Sequence, residues 1–125
     1  MITAMFTKID QSTAYKKSRI SVRNFAMKSD ENLAELVEVS FNISHKNHVK
    51  AFWSLELVCD KKLKLFLPYI DRFCAVLPKL KDDSAVRPAT KIGLLLAKSN
   101  HQKNGIDLTK EQEHNIIENL IDRLI

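Results

Sequence analysis

The feature that most constrains the fold is the spacing of apolar residues, which recur every three or four positions from residue 29 onward. In the segment DENLAELVEVSFNIS, the residues Leu33, Leu36, Val37 and Ile43 form one stripe, as in an amphipathic helix. Similar stripes follow over residues 45–59, 68–80, 82–98 and 109–125. Only 2 glycines and 3 prolines interrupt the chain, which is too few for the turns of an all-β fold. The sequence therefore predicts an all-α protein.

Polar residues and prolines indicate where these helices begin and end. Asp82 precedes one apolar stripe as an N-cap, and Thr109 and Gln112 have the spacing of a capping box before the last one. Pro68 is suited to the first turn of a helix, while Pro78 is expected to loosen the last turn of the same helix. The stretch SNHQKNGID is typical of a loop.

An offset of 37 residues relates the apolar positions of two successive segments. It pairs Leu33 with Ile70, Val37 with Cys74, Val49 with Val86 and Leu55 with Ile92. A fixed period of this length is typical of helix-pair repeats stacked in an α-solenoid. We therefore predict one helical-repeat domain over residues 1–125. It comprises an N-terminal segment and helix (1–28), repeat 1 (29–59), repeat 2 (67–99) and the first helix of a further repeat (108–125). A plain helical bundle is the alternative.

Several motifs resemble known helical-repeat proteins. The stretch VRPATKIGLLL is similar to the second helix of a HEAT repeat, and KAFWSLELVC, FLPYIDRF and LPKLK resemble a family of small bacterial proteins. Some members of that uncharacterised family carry an adenylosuccinate lyase name. The resemblance implies a HEAT/armadillo-like α-α superhelix and a further helix or two beyond residue 125. It implies no activity, because the serine-rich signature loop of that enzyme has no counterpart here.

Few residues are candidates for chemistry. His45 and His48 lie one helical turn apart, but no further ligand nearby in sequence completes a zinc site, so we interpret them as surface residues. Cys59 and Cys74 lie in apolar runs and are predicted to be buried, reduced and unreactive. Trp53 is interpreted as packing within or between repeats. The sequence thus predicts no catalytic, cofactor-binding or metal-binding residue.

Basic residues are the best candidates for contact with a partner. The formal charge is +5 and the pI about 9.3, which is compatible with an acidic protein or with nucleic acid. The predicted partner-binding surface consists of Lys16, Lys17, Arg19, Arg23, Lys50, Arg87 and Lys91. For Lys50 and Arg87 we favour the alternative of a structural ladder, in which Asp82 or Asp83 pairs with Arg87, although Lys50 has no aspartate in the matching place.

The C-terminal helix carries a second candidate interface. Its stripe of Ile117, Leu120, Ile121 and Leu124 lacks a polar covering face. We expect this stripe to be covered, either by the same helix of a second copy in a homodimer or by further chain of a longer protein.

Neither a signal peptide nor a membrane-spanning run is recognisable, which predicts a cytoplasmic protein away from membranes. The predicted function is a non-enzymatic protein–protein interaction or scaffold module of unknown partner. The alternative is a nucleic-acid-binding protein that uses its basic N-terminal face.

Overall fold

The computed structural model describes the backbone of residues 2–124 and the side chains of residues 2–123. This part of the chain is helical and contains no strand, so the all-α prediction is confirmed. The α-helices are α1 (Ala4–Gln11), α2 (Lys16–Ala26), α3 (Asp30–Phe41), α4 (His48–Lys61), α5 (Ile70–Val76), α6 (Asp83–Ser99) and α7 (Lys110–Leu124). None of them combines the length and apolarity that are needed to cross a membrane.

Local hydrogen bonds explain where the later helices begin. The Asp82 carboxylate accepts a hydrogen bond from the Ser84 backbone N–H at 2.9 Å, which caps α6. At the start of α7 the Thr109 hydroxyl accepts from the Gln112 N–H at 3.0 Å, and the Gln112 side chain accepts from the Thr109 N–H at 2.9 Å. These reciprocal bonds confirm the predicted capping box.

The N-terminal segment differs from its prediction because it forms two helices, α1 and α2, instead of one. Both contribute to the core, with Met5 and Ile9 buried on α1 and Val22 and Ala26 buried on α2. Tyr15, the N-cap residue of α2, is 80% exposed and does not contribute to the core. Helix α2 corresponds to the one predicted helix, whereas α1 lies in the part of the segment for which no helix was predicted.

The segment around the two prolines is less regular than predicted. Pro68 lies in a 3-10 stretch, Leu63–Tyr69, and α5 begins only after it. Pro78 lies in a second 3-10 turn, Leu77–Lys79, directly after the end of α5. Because proline cannot donate a backbone hydrogen bond, these residues confine the regular α-helix to the seven residues of α5.

Contacts between the helices divide them into two rows. Helix α4 contacts α2 on one side and α6 on the other, and α3 contacts α1 and α5, which in turn contacts α7. Contacts between α1 and α2, between α3 and α4, and between α6 and α7 join the two rows. The core contains large side chains with no solvent exposure: Leu36, Phe52, Leu55, Phe73 and Ile92.

Positions related by the 37-residue offset agree in burial only in part. Leu33 and Ile70 are buried, Leu55 and Ile92 are fully buried, and Val49 and Val86 are both half-buried. Val37 is fully buried, whereas Cys74 is half-buried, contrary to the prediction. The physical reason is the position of Cys74 in an open groove between α5 and the start of α7.

Candidate interaction site

Trp53 links α4 to the first turns of α6. Its indole Nε1 donates a hydrogen bond to the Ser84 carbonyl at 3.1 Å. In a regular helix that carbonyl would accept from the N–H four residues later, but this residue is Pro88, which has none. Trp53 therefore supplies the donor that Pro88 lacks, and the indole ring is held in one orientation at the surface.

Arg19 covers this ring from α2. The centre of its guanidinium lies 4.5 Å from the centroid of the Trp53 ring, in the range of a cation–π contact. The Nε of Arg19 is buried and has no hydrogen-bond partner in the described residues. Stacking uses only the face of the guanidinium, so the N–H donors of its two terminal nitrogens remain available for an oxyanion.

These side chains form one wall of a depression of about 280 Å³, here called the Arg-Trp pocket. It is lined by Arg19, Trp53, Glu56, Ser84, Arg87, Pro88 and Lys91. Glu56 and Lys91 form an ion pair at 3.8 Å across it. Within the described residues, no carboxylate pairs with Arg87, including the candidates Asp82 and Asp83. The ladder alternative is therefore wrong for Arg87.

A second depression adjoins the Arg-Trp pocket and shares Glu56 and Lys91 with it. This leucine hollow measures about 220 Å³, and its other lining residues are Asp60, Leu94, Leu95 and Lys98. Leu94 is 43% exposed, which makes it one of the few large apolar side chains open to solvent on α6. Together the two depressions lie along neighbouring parts of α4 and α6.

The predicted basic residues separate onto different parts of the molecule. Arg19, Arg87 and Lys91 meet in the Arg-Trp pocket. Lys50 does not present its charge there, because its Nζ donates to the Asp10 carbonyl at 2.9 Å and so holds the end of α1. The guanidinium of Arg23 donates to the side chain of its neighbour Asn24, and Lys16 is exposed.

Lys17 lies on another face of α2, in a lysine groove of about 350 Å³ between α1 and α2. Lys8 and Lys28 line the same groove, and the Lys28 ammonium lies 5.2 Å from the centroid of the Phe25 ring. The first 28 residues contain six Lys or Arg and one Asp, whereas the remaining 97 contain 14 basic and 14 acidic residues. The whole formal charge of +5 thus belongs to α1, α2 and their flanks.

Asp10, the one acidic residue of this N-terminal part, anchors it to the start of α4. Its carboxylate accepts from the Asn47 side chain at 2.9 Å and pairs with Lys46 at 3.2 Å. These hydrogen bonds hold the pKa of Asp10 below its ordinary value. The contact is consequently ionic at neutral pH.

The histidines and cysteines form no reactive cluster. His48 is buried, contrary to the prediction of a surface residue, because its ring packs edge-on against Phe52 and its Nδ1 contacts the Ser40 carbonyl. Burial raises the pKa of the Cys59 thiol, with the carboxylates of Glu56 and Asp60 adding to the effect. Burial also raises the pKa of Cys74. A raised pKa disfavours the thiolate and with it nucleophilic attack.

The C-terminal stripe is partly covered by the chain itself. Leu120 was predicted as an interface residue, but only 7% of it is exposed because it packs on α6 opposite Gly93. Ile117 and Ile121 are 39% and 47% exposed, as expected for an open face. The side chain of Leu124, the fourth predicted residue, lies outside the described residues.

In residues 2–123, no group of three or more His, Cys, Asp or Glu side chains is placed to hold a metal ion. Comparison of the chain with family models, with curated proteins and with solved structures finds no match. The resemblance to bacterial helical-repeat proteins stays a prediction.

Sequence analysis selected Arg19, Arg87 and Lys91 but missed the part that Trp53, Glu56 and Pro88 have in the Arg-Trp pocket, although one signal was present. Pro88 inside a helical stripe leaves the Ser84 carbonyl without its intrahelical donor, so an indole or other donor nearby was to be expected. Nothing in the spacing indicated that this donor would be Trp53, or that Glu56 would neutralise Lys91.

Proposed function

We propose that this chain is a short helical-repeat protein of the HEAT or armadillo type, with three helix pairs followed by α7. The proposed pairs are the successive helices α1–α2, α3–α4 and α5–α6, so the N-terminal segment supplies a pair of its own. The first two pairs are in direct contact, whereas α5 packs mainly on α3 and α7. The ordered contacts of α2 with α4 and of α4 with α6 support this arrangement.

On this arrangement, the protein is a non-enzymatic module that binds a protein partner on the surface of α2, α4 and α6. The observation that carries the proposal is the Arg-Trp pocket, to which each of these helices contributes a side chain. Arg19 and Arg87 have no carboxylate partner there within the described residues. Rigid helices present such a surface at little cost in conformational entropy, which favours binding.

Site-specific photo-crosslinking in the cells of origin tests this function. A photoreactive amino acid replaces Lys91 in the lining of the pocket, and a matched variant carries it in place of Glu31, an exposed residue of α3 in the other row. We expect one defined protein to crosslink from position 91 and not from position 31. Crosslinks of equal yield from both positions, or from position 31 alone, would refute binding on the α2–α4–α6 surface.

Nucleic-acid binding is the second candidate, and the concentration of charge in the first 28 residues favours it. Lys8, Lys17 and Lys28 could contact successive phosphates along the lysine groove. Titration of duplex DNA and RNA at several salt concentrations separates the two candidates. Affinity that falls steeply with salt and is abolished by Lys17→Glu with Lys28→Glu would favour nucleic acid over a protein partner.

We also infer weak self-association through α7, because Ile117 and Ile121 remain exposed on one side of it. The burial of Leu120 reduces the area available for a homodimer compared with the four-residue stripe that the sequence suggested. A contact made by the two described residues alone is small, so the dimer is expected only at high concentration.

A further inference from the structure

We propose that the Arg-Trp pocket binds the carboxylate of an aspartate or glutamate in an extended segment of the partner protein. The adjoining leucine hollow then takes an apolar side chain of the same segment. This inference rests on the proposed protein-binding function and specifies the chemistry that the partner must present.

Arg19 is arranged to receive a carboxylate before any ligand arrives. Its stacking on Trp53 fixes the plane of the guanidinium, and the bond from Trp53 to the Ser84 carbonyl fixes the ring beneath it. The Nε of Arg19 is enclosed by the protein, so a ligand meets the two terminal nitrogens of the guanidinium. One carboxylate can accept two parallel hydrogen bonds from these nitrogens.

The charges lining the pocket favour a single negative charge. Lys91 is already paired with Glu56, which leaves the positive charges of Arg19 and Arg87 uncompensated. A phosphoryl dianion would place a second negative charge close to the Glu56 carboxylate, whereas a carboxylate does not. A nucleic-acid backbone would meet Glu56 and then Asp60 as it followed the two depressions. An acidic side chain of a protein therefore fits this surface better than either alternative.

The position of the leucine hollow sets the spacing of the segment. Arg87 and Leu94 lie seven residues apart on α6, which corresponds to about 10 Å along the helix axis. An extended peptide advances about 3.3 Å per residue, so about three residues cover this distance. The expected motif is an acidic residue followed or preceded, three or four positions away, by a large apolar residue.

Selection from a display library of random short peptides tests this inference. Peptides that bind the R87Q variant are first removed, and the remaining library is bound to the native protein. The K17Q variant serves as the charge-matched control, because Lys17 lines a different groove. We expect enrichment of Asp or Glu at the stated distance from Leu, Ile, Phe or Met. Selected peptides without an acidic residue would overturn the inference, as would failure to enrich any peptide.

Titration of the best selected peptide then measures the contribution of the pocket. Trp53 is the only tryptophan of the chain, so its fluorescence reports directly on the site. We expect Arg87→Gln to weaken binding of the peptide about tenfold or more. Replacing the acidic residue of the peptide by glutamine is expected to weaken binding by the same factor. Lys17→Gln should leave the affinity unchanged. Equal binding of the glutamine peptide would refute the carboxylate assignment, and so would tighter binding of its phosphoserine counterpart.

The crosslinking experiment separates this inference from the function on which it rests. If the partner crosslinks from position 91 as strongly in the R87Q protein as in the native one, the surface binds protein but not through the pocket. The inference then fails and the proposed function stands. If position 91 gives no crosslink in either protein, the proposed function itself fails.

Discussion

The hydrogen bond from Trp53 to the Ser84 carbonyl makes a quantitative prediction about Pro88. Trp53→Phe keeps an aromatic ring under Arg19 and removes the N–H donor, so the Ser84 carbonyl loses its partner. Pro88→Ala instead restores a backbone N–H at the position from which a helix would bond to Ser84. If Trp53 replaces this missing donor, the cost of Trp53→Phe must be smaller in the Pro88→Ala background.

The size of the effect follows from the energy of one hydrogen bond. A net contribution of about 1 kcal/mol is typical for an intramolecular hydrogen bond. Loss of indole volume costs the same in both backgrounds and cancels in the double-mutant cycle. Replacing proline by alanine inside a helix is favourable by about 3 kcal/mol, whereas truncation of the buried Pro88 side chain loses packing. Both effects are present with and without Trp53→Phe, so they cancel in the cycle as well. We therefore expect a coupling energy of about 1 kcal/mol between the two positions.

Urea denaturation followed by far-ultraviolet circular dichroism measures all four proteins of the cycle, because this signal does not depend on Trp53. The slope of unfolding free energy against urea must be the same for all four, otherwise the free energies cannot be compared. Additivity within about 0.4 kcal/mol would refute the reasoning, since independent sites add to this precision.

Three further predictions concern other parts of the molecule. Thr109→Ala removes one bond of the capping box with Gln112 and should lower the unfolding free energy by about 1 kcal/mol, whereas no loss in thermal unfolding would contradict the box. A thiol reagent should label Cys74 slowly at neutral pH and faster at higher pH, and Cys59 only on unfolding; rapid native labelling of Cys59 would contradict its burial. Ile121→Asp should reduce self-association in sedimentation equilibrium, and a monomer mass at every concentration of the native protein would refute an α7 dimer.

Local features of the fold were predictable from the sequence because they depend on neighbouring residues. Asp82 and the pair Thr109–Gln112 satisfy free N–H groups at helix starts, which requires only the correct spacing along the chain. The burial of Leu120 was not predicted, since it depends on how closely α7 approaches α6. Gly93 permits this approach: a Cβ there would lie 3.1 Å from a Leu120 methyl carbon. A glycine within a helical stripe was the available signal.

The candidate site was predictable only as a set of basic residues. Arg19, Arg87 and Lys91 were among the seven selected, but so was Lys50, which is occupied by the Asp10 carbonyl. Which lysines and arginines meet on one surface depends on the packing of α2 and α6 against α4. That packing brings together residues far apart in sequence, which spacing along one helix does not encode.

The location of the pocket across three helices leads to a final prediction about dynamics. A ligand that contacts Arg19 on α2 and Arg87 on α6 joins two helices that both pack on α4. Binding to the native state alone stabilises it by mass action, and the opening of any helix that contacts the ligand becomes rarer. Amide hydrogen exchange in α2, α4 and α6 should therefore slow together when the selected acidic peptide binds. A ligand in the lysine groove would slow exchange in α1 and α2 and leave α6 unchanged, because that groove is lined only by residues of α1, α2 and the turn after α2. Protection restricted to α1 and α2 would place the peptide on the lysine groove and exclude the Arg-Trp pocket as its site.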